Sequence, residues 1–193
     1  MTLRTYEKNI VCLEALWDGG TDEWISVAPV IEFIANLNEV KFTHLTCKTR
    51  TEFKFNLRDV CNHGRKRDHA ILYLAFHGLS GRILLPDGDS LSLEDLADLM
   101  GDKFKDWIVH FGSCSTLSAK ESRVRDFFRS TKVALLVGYR KKVDWTESTS
   151  MDLILLDWME NYKNMGALKK KVESTYQDLI SATGLRIYHP RGL

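Results

Sequence analysis

"AILYLAFHGLSG" (70–81) decides the fold, because an unbroken apolar run from Ala70 to Phe76 stops abruptly on His77 and Gly78. Such a run predicts a buried strand, and several strands apolar on both sides indicate a parallel sheet covered on both faces. "WIVHFGSCSTL" (107–117) repeats the pattern, since a second apolar strand runs out into small residues around a single cysteine, Cys114. The two strands deliver an imidazole and a thiol to one edge.

Working outward, "NIVCLEALW" (9–17) predicts a first strand and "DGGTDEW" (18–24) a Gly-rich turn after it. Val30, Ile31, Ile34 and Leu37 fall near helical spacing over 28–38, and "EVKFTHLTCKT" (39–49) alternates with a period of two. A helix over 51–64 ends near Gly64 and leads into the His77 strand. Pro86-Asp87-Gly88 marks a turn that divides 80–92 into a hairpin. Ser92 is the candidate N-cap of a helix over 92–101, with Asp95 at its third helical position. Beyond Cys114 the pattern predicts a helix over 118–130, a strand over 132–140, helices over 148–164 and 166–184, and an edge strand over 185–190 closed by Pro190. Strands alternating with helices make this an α/β chain.

With 193 residues, 44% of them hydrophobic, the chain suffices for one sizeable core, so residues 1–193 are expected to form a single domain. Lys+Arg 27 against Asp+Glu 26 leaves a formal net charge of +1, which points to neither nucleic acid nor an anionic membrane as a partner. No run approaches a membrane span, and "MTLRTYEKNI" lacks the basic-then-apolar order of a signal peptide, so a cytoplasmic protein is expected. Cys12, Cys47, Cys61 and Cys114 form no CxxC pair, which speaks against a disulfide framework or a zinc ribbon. Cys61, His63 and His69 lack a fourth ligand at zinc-like spacing. Neither a metal nor an organic cofactor is expected.

In parallel sheets active sites gather at the carboxyl ends of strands, where His77 and Cys114 both fall. A thiolate attacks a carbonyl, while an imidazole takes the thiol proton and returns it to the leaving amine. The N–H groups of Gly78 and Cys114 are the candidate oxyanion donors. A helix starting over Ser115–Ser118 would turn its positive end toward the thiolate. His110, four residues before Cys114 within the same strand, is expected to be a satisfied core histidine rather than the base. Trp145 and Tyr139 are candidates for the wall of a substrate cleft. A flavodoxin-like nucleotide domain is disfavoured, because no GxGxxG or GxxxxGK[ST] follows any strand.

The order "YLAFHG", "WIVHFGSCST", "VALLVGYRKKVDW" resembles the caspase-like cysteine proteases, the group of caspases, gingipains, separase and the bacterial CHAT proteases, and is nearest to the CHAT branch. The resemblance covers about residues 70–160. It implies a caspase-hemoglobinase-like three-layer sandwich with a mostly parallel central sheet, and a thiol protease with His77 as catalytic histidine and Cys114 as nucleophile. In CHAT-type members the segment matching "GYRKKVDWTES" (138–148) carries an acid that reads a basic side chain before the scissile bond, which puts Asp144, or Glu147 in its place, in the substrate pocket. Arg140, Lys141 and Lys142 depart from the group's usual Trp and hydrophobic pair. Arg82 or Arg140 would suit an acidic side chain instead. The same resemblance implies a protein substrate and an activating partner protein, in prokaryotic antiviral defence or programmed cell death. The alternative is a catalytically silent caspase-like module that binds a partner without cleaving it.

Overall fold

The computed structural model describes residues 8–15, 17, 25–63 and 70–190. Strand β1 (Asn9–Ala15) is followed by α1 (Ala28–Leu37), which carries a proline in its first turn where an N–H has no helical partner to lose. β2 (Phe42–Cys47), α2 (Arg50–His63) and β3 (Ala70–Ala75) come next. The expected Gly-rich turn at 18–24 lies outside the described residues, and β1 itself stops at Ala15, not at Trp17.

β3 ends two residues before His77, which instead opens β4 (His77–Leu79). β4, β5 (Arg82–Leu84) and β6 (Ser90–Ser92) form a small antiparallel sheet, with His77 opposite Leu84 and Gly78 opposite Ile83. Gly88, at φ +85°, completes the Pro-Asp-Gly turn in a conformation that suits a residue without Cβ. α3 (Leu93–Met100) then starts on a reciprocal cap: Ser92 Oγ accepts from Asp95 N at 3.1 Å and Asp95 Oδ2 accepts from Ser92 N at 2.9 Å.

β7 (Ile108–Phe111), α4 (Glu121–Thr131), β8 (Leu135–Tyr139), α5 (Trp145–Asn161), α6 (Met165–Thr175), α7 (Gln177–Thr183) and β9 (Leu185–Tyr188) complete the order. The main sheet runs β2-β1-β3-β7-β8-β9, parallel throughout except for β9, which returns antiparallel along β8. Leu13, Leu72, Leu74, Val109, Phe111 and Leu136 face a core shared with α2, α3 and α4. Ile10, Ile71, Tyr73, Ile108, Leu135 and Val137 face the opposite core, closed by α1, α5 and α6. Helix, sheet and helix therefore stack as an α/β fold with a mostly parallel six-stranded sheet.

Three further boundaries depart from the sequence pattern. α5 begins at Trp145 rather than 148, because Asp144 Oδ1 accepts from the N–H groups of Thr146 (2.8 Å) and Glu147 (3.2 Å) and so caps the helix early. The single helix expected over 166–184 is two, broken at Tyr176 (φ −122°, ψ 38°). α4 begins at Glu121 rather than 118: Thr116–Ser118 make only one 3₁₀ turn, and Ala119 at ψ 155° separates that turn from α4. The helix N-terminus expected beside Cys114 is therefore replaced by that short turn.

Candidate active site

Gly78 and the Cys114 turn touch directly. A Cβ at position 78 would collide with the carbonyl oxygen of Cys114 and with Thr116 Oγ1, and would come within 3.1 Å of Ser113 Cβ. Only a residue without a side chain allows this approach. The contact is tied off on its far side, since Gly81 N donates to Thr116 O at 3.0 Å and Thr116 Oγ1 lies 3.4 Å from Arg82 O. Ser113 and Thr116 hydroxyls meet at 2.7 Å beneath it. His77 and Cys114 are thus brought to neighbouring positions, His77 exposed and Cys114 half-buried.

The chain leaves Cys114 through a strained residue. Ser115 has φ 57° and ψ −1°, a left-handed conformation uncommon for a residue with a side chain. It is held by three bonds: Ser115 N donates to Lys141 O at 3.1 Å, and Ser115 O accepts from Ser118 N at 2.9 Å and from Ser118 Oγ at 2.8 Å. The same 140–144 segment passes the thiol, with Val143 O lying 3.9 Å from Cys114 Sγ. The loop after β8 and the end of β7 therefore form one wall.

Trp17, which the sequence pattern does not single out as a site residue, packs edge-on against His77 with ring centroids 5.0 Å apart, and edge-on against Trp145 at 5.1 Å. Its indole N–H donates to Glu14 Oε1 at 2.9 Å. The available signal was its place at the carboxyl end of the first strand, the same end that carries His77 and Cys114. Trp145 is 42% exposed and stands beside this pair, as a cleft wall would. Asp144 and Glu147 are exposed at the start of α5, with Asp144 Oδ1 taken by the helix cap.

Tyr139 is different from what its position suggests. It is fully buried, so it cannot wall a cleft, and its hydroxyl donates inward to Asp152 Oδ1 at 2.5 Å. His110 is in the core as expected, with no exposed surface, but it is not satisfied: Nε2 lies 2.8 Å from Asp152 Oδ1 without hydrogen-bond geometry, and neither ring nitrogen has a hydrogen-bond partner among the described residues.

Residues 7–189 match a family of unknown function, DUF6642. The chain belongs to DUF6642. No curated protein matches it.

Two further features of this DUF6642 chain bear on chemistry. All four cysteines are free thiols, and burial pushes three of them up: Cys12, and Cys47 and Cys61 to about 11. Those three are poor thiolates. Cys12, Glu14 and His44 also place donor atoms within 4.8 Å of one another. Glu14, however, is already saturated: Oε1 accepts from Trp17 Nε1 at 2.9 Å and Val27 N at 2.8 Å, while Oε2 accepts from Ser26 Oγ at 2.7 Å and meets His44 Nε2 at 2.7 Å. Burial pushes the Glu14 carboxyl up, but the bonds from His44, Ser26, Trp17 and Val27 outweigh it and hold the group below its usual range. A cation would have to displace these donors, so the cluster is a clasp that fixes Trp17 and the start of α1. Of the Cys61, His63 and His69 group, the His63 side chain and all of His69 lie outside the described residues. Among the described residues no helix is long and apolar enough to cross a membrane.

Proposed function

We propose that this protein is a cysteine endopeptidase with a Cys114–His77 dyad. The observation that carries the proposal is the close approach of Gly78, next to His77, to the Cys114 carbonyl, where the chain leaves the carboxyl ends of the adjacent parallel strands β3 and β7. Ligands bind at such strand ends because the loops there vary without disturbing the core. The dyad reading is further supported by the left-handed Ser115, since strain of this kind is retained where a side chain must be aimed.

In the reaction, His77 takes the proton from Cys114 Sγ and the thiolate attacks the peptide carbonyl carbon, forming the C–S bond. The N–H groups of Gly78 and Cys114 receive the oxyanion. Collapse breaks the C–N bond, and the amine leaves with the proton held by His77. Water, deprotonated by the same imidazole, then hydrolyses the thioester and regenerates the thiol. Asp144 and Glu147 are the acids offered to a basic side chain of the substrate, and Trp17 and Trp145 flank the entry. The fold is that of a caspase-like sandwich in this reading.

The test is hydrolysis of fluorogenic peptides ending in Arg, Lys or Asp by the wild type, Cys114→Ala and His77→Ala. Turnover of the basic peptides, abolished in Cys114→Ala and lowered about 10²–10⁴-fold in His77→Ala, is expected. Turnover that survives Cys114→Ala sinks the proposal.

A further inference from the structure

Beneath the Cys114 turn lies a buried polar hub for which the dyad has no use. Asp152 of α5 is 5% exposed, and its two carboxylate oxygens accept from the hydroxyls of Tyr73 and Tyr139, each at 2.5 Å. His110 Nε2 lies 2.8 Å from the same carboxylate. Tyr73 and His110 are paired across β3 and β7, and Tyr139 ends β8, so one side chain from a helix gathers three adjacent strands. Burying an ionisable carboxylate among aromatic rings is costly unless it is fully bonded, and apolar packing would close this core at lower cost. A hub kept in that place calls for a use.

Its position supplies one. Tyr139 is the last residue before the 140–144 loop, whose Lys141 carbonyl holds Ser115 and whose Val143 carbonyl faces the thiol. The Tyr139 hydroxyl also lies 3.1 Å from Ser148 O, which ties the end of β8 to the first turns of α5. The geometry points to Tyr139, held by Asp152, as a positioning residue for the Cys114 nucleophile. Burial and the Asp152 carboxylate push the Tyr139 phenol well up, and a charge on Cys114 adds to that push. Tyr73 is pushed up by burial and Asp152 in the same way, with Tyr139 and Cys12, but not Cys114, among the groups that add to it. The groups facing the carboxylate are Tyr73, His110 and Tyr139, and Tyr139 is the one that leads directly into the loop holding Ser115 and passing the thiol.

This inference rests on Cys114 being the nucleophile, but its test does not. The measurement is the rate of Cys114 alkylation by iodoacetamide across pH, read by peptide mass spectrometry, in the wild type, Tyr139→Phe, Tyr73→Phe, Asp152→Asn and His77→Ala. Tyr139→Phe and Tyr73→Phe each remove one hydroxyl from the same carboxylate and are expected to lower the melting temperature alike. Tyr139→Phe alone loosens the loop that carries the Lys141 and Val143 carbonyls, so it slows Cys114 alkylation near neutral pH by about fivefold, the weight of one hydrogen bond. Asp152→Asn keeps an acceptor for the Tyr139 hydroxyl and is expected to slow Cys114 less than Tyr139→Phe does. Equal effects of the two Tyr→Phe changes on Cys114, no effect of Tyr139→Phe, or a larger effect of Asp152→Asn than of Tyr139→Phe overturns the inference. The dyad reading is judged separately, from whether His77→Ala slows Cys114.

Discussion

A methyl group at position 78 has nowhere to go, because the Cys114 carbonyl and Thr116 hydroxyl already occupy its place. Gly78→Ala therefore pushes the small sheet away from the Cys114 turn, with a destabilisation of about 1–3 kcal/mol for overpacking at a rigid contact. Thermal unfolding checks the cost, and a wild-type melting temperature in Gly78→Ala refutes the contact. A second expectation concerns the thiols. Cys12, Cys47 and Cys61 are held up by burial, the latter two to about 11, so between pH 7 and 9 a thiolate reagent should modify Cys114 first. Mass spectrometry of peptides after brief alkylation decides it, and faster labelling of Cys61 would contradict it. At this scale the sequence exposed His77, Gly78 and Cys114, since an apolar run that ends on a reactive side chain is visible in one dimension. Trp17 and Asp152 were not legible. The first acts through a contact between strand ends far apart in the chain, and the second is one acid in the apolar face of "MDLILLDWME" whose partners come from three strands.

Elements were legible where local chemistry sets their ends. The Ser92 cap and its Asp95 return bond form as the sequence pattern predicts, because both partners lie within one turn. Ser92→Ala should cost about 1 kcal/mol, the usual weight of such a cap. Urea unfolding measures it, with an unchanged rate of Cys114 alkylation in the folded protein as a control. The ends that differ from the pattern have causes outside it. The helix after Cys114 starts late because Ser115 is held left-handed by Lys141 O, a bond across 26 positions that no periodicity records. α6 and α7 separate at Tyr176, whose ring packs edge-on against Trp158 of α5 with centroids 5.3 Å apart. Tertiary packing thus overrides helical propensity at this break.

For the molecule as a whole, alternating apolar strands and amphipathic helices made the parallel sheet predictable, whereas the tie between β1 and the end of α5 was not. Lys8, just before β1, donates its backbone N–H to Glu160 Oε2 at 3.0 Å and its ammonium to the carbonyls of Met159 and, at 3.1 Å, Tyr162. Glu160 is fully buried, and burial pushes its carboxyl up to about 7 despite the Lys8 bond and charge; burial likewise lowers Lys8. An unfolded glutamate titrates near 4.3. Below that value both states hold the proton and the stabilising contribution of Glu160 is complete. As pH rises through about 7 the unfolded chain has released its proton first, so that contribution is lost across this window. Lys8 acts in the opposite sense, gaining stability with pH up to its ordinary value. Glu160→Gln carries no charge and has no such slope. The stability of the wild type relative to Glu160→Gln, measured by urea unfolding at pH 5, 6, 7 and 8, should therefore fall as pH rises. A difference that grows with pH would mean that the carboxylate is better paired in the folded chain than its burial implies, and that the β1–α5 tie is held by charge rather than in spite of it.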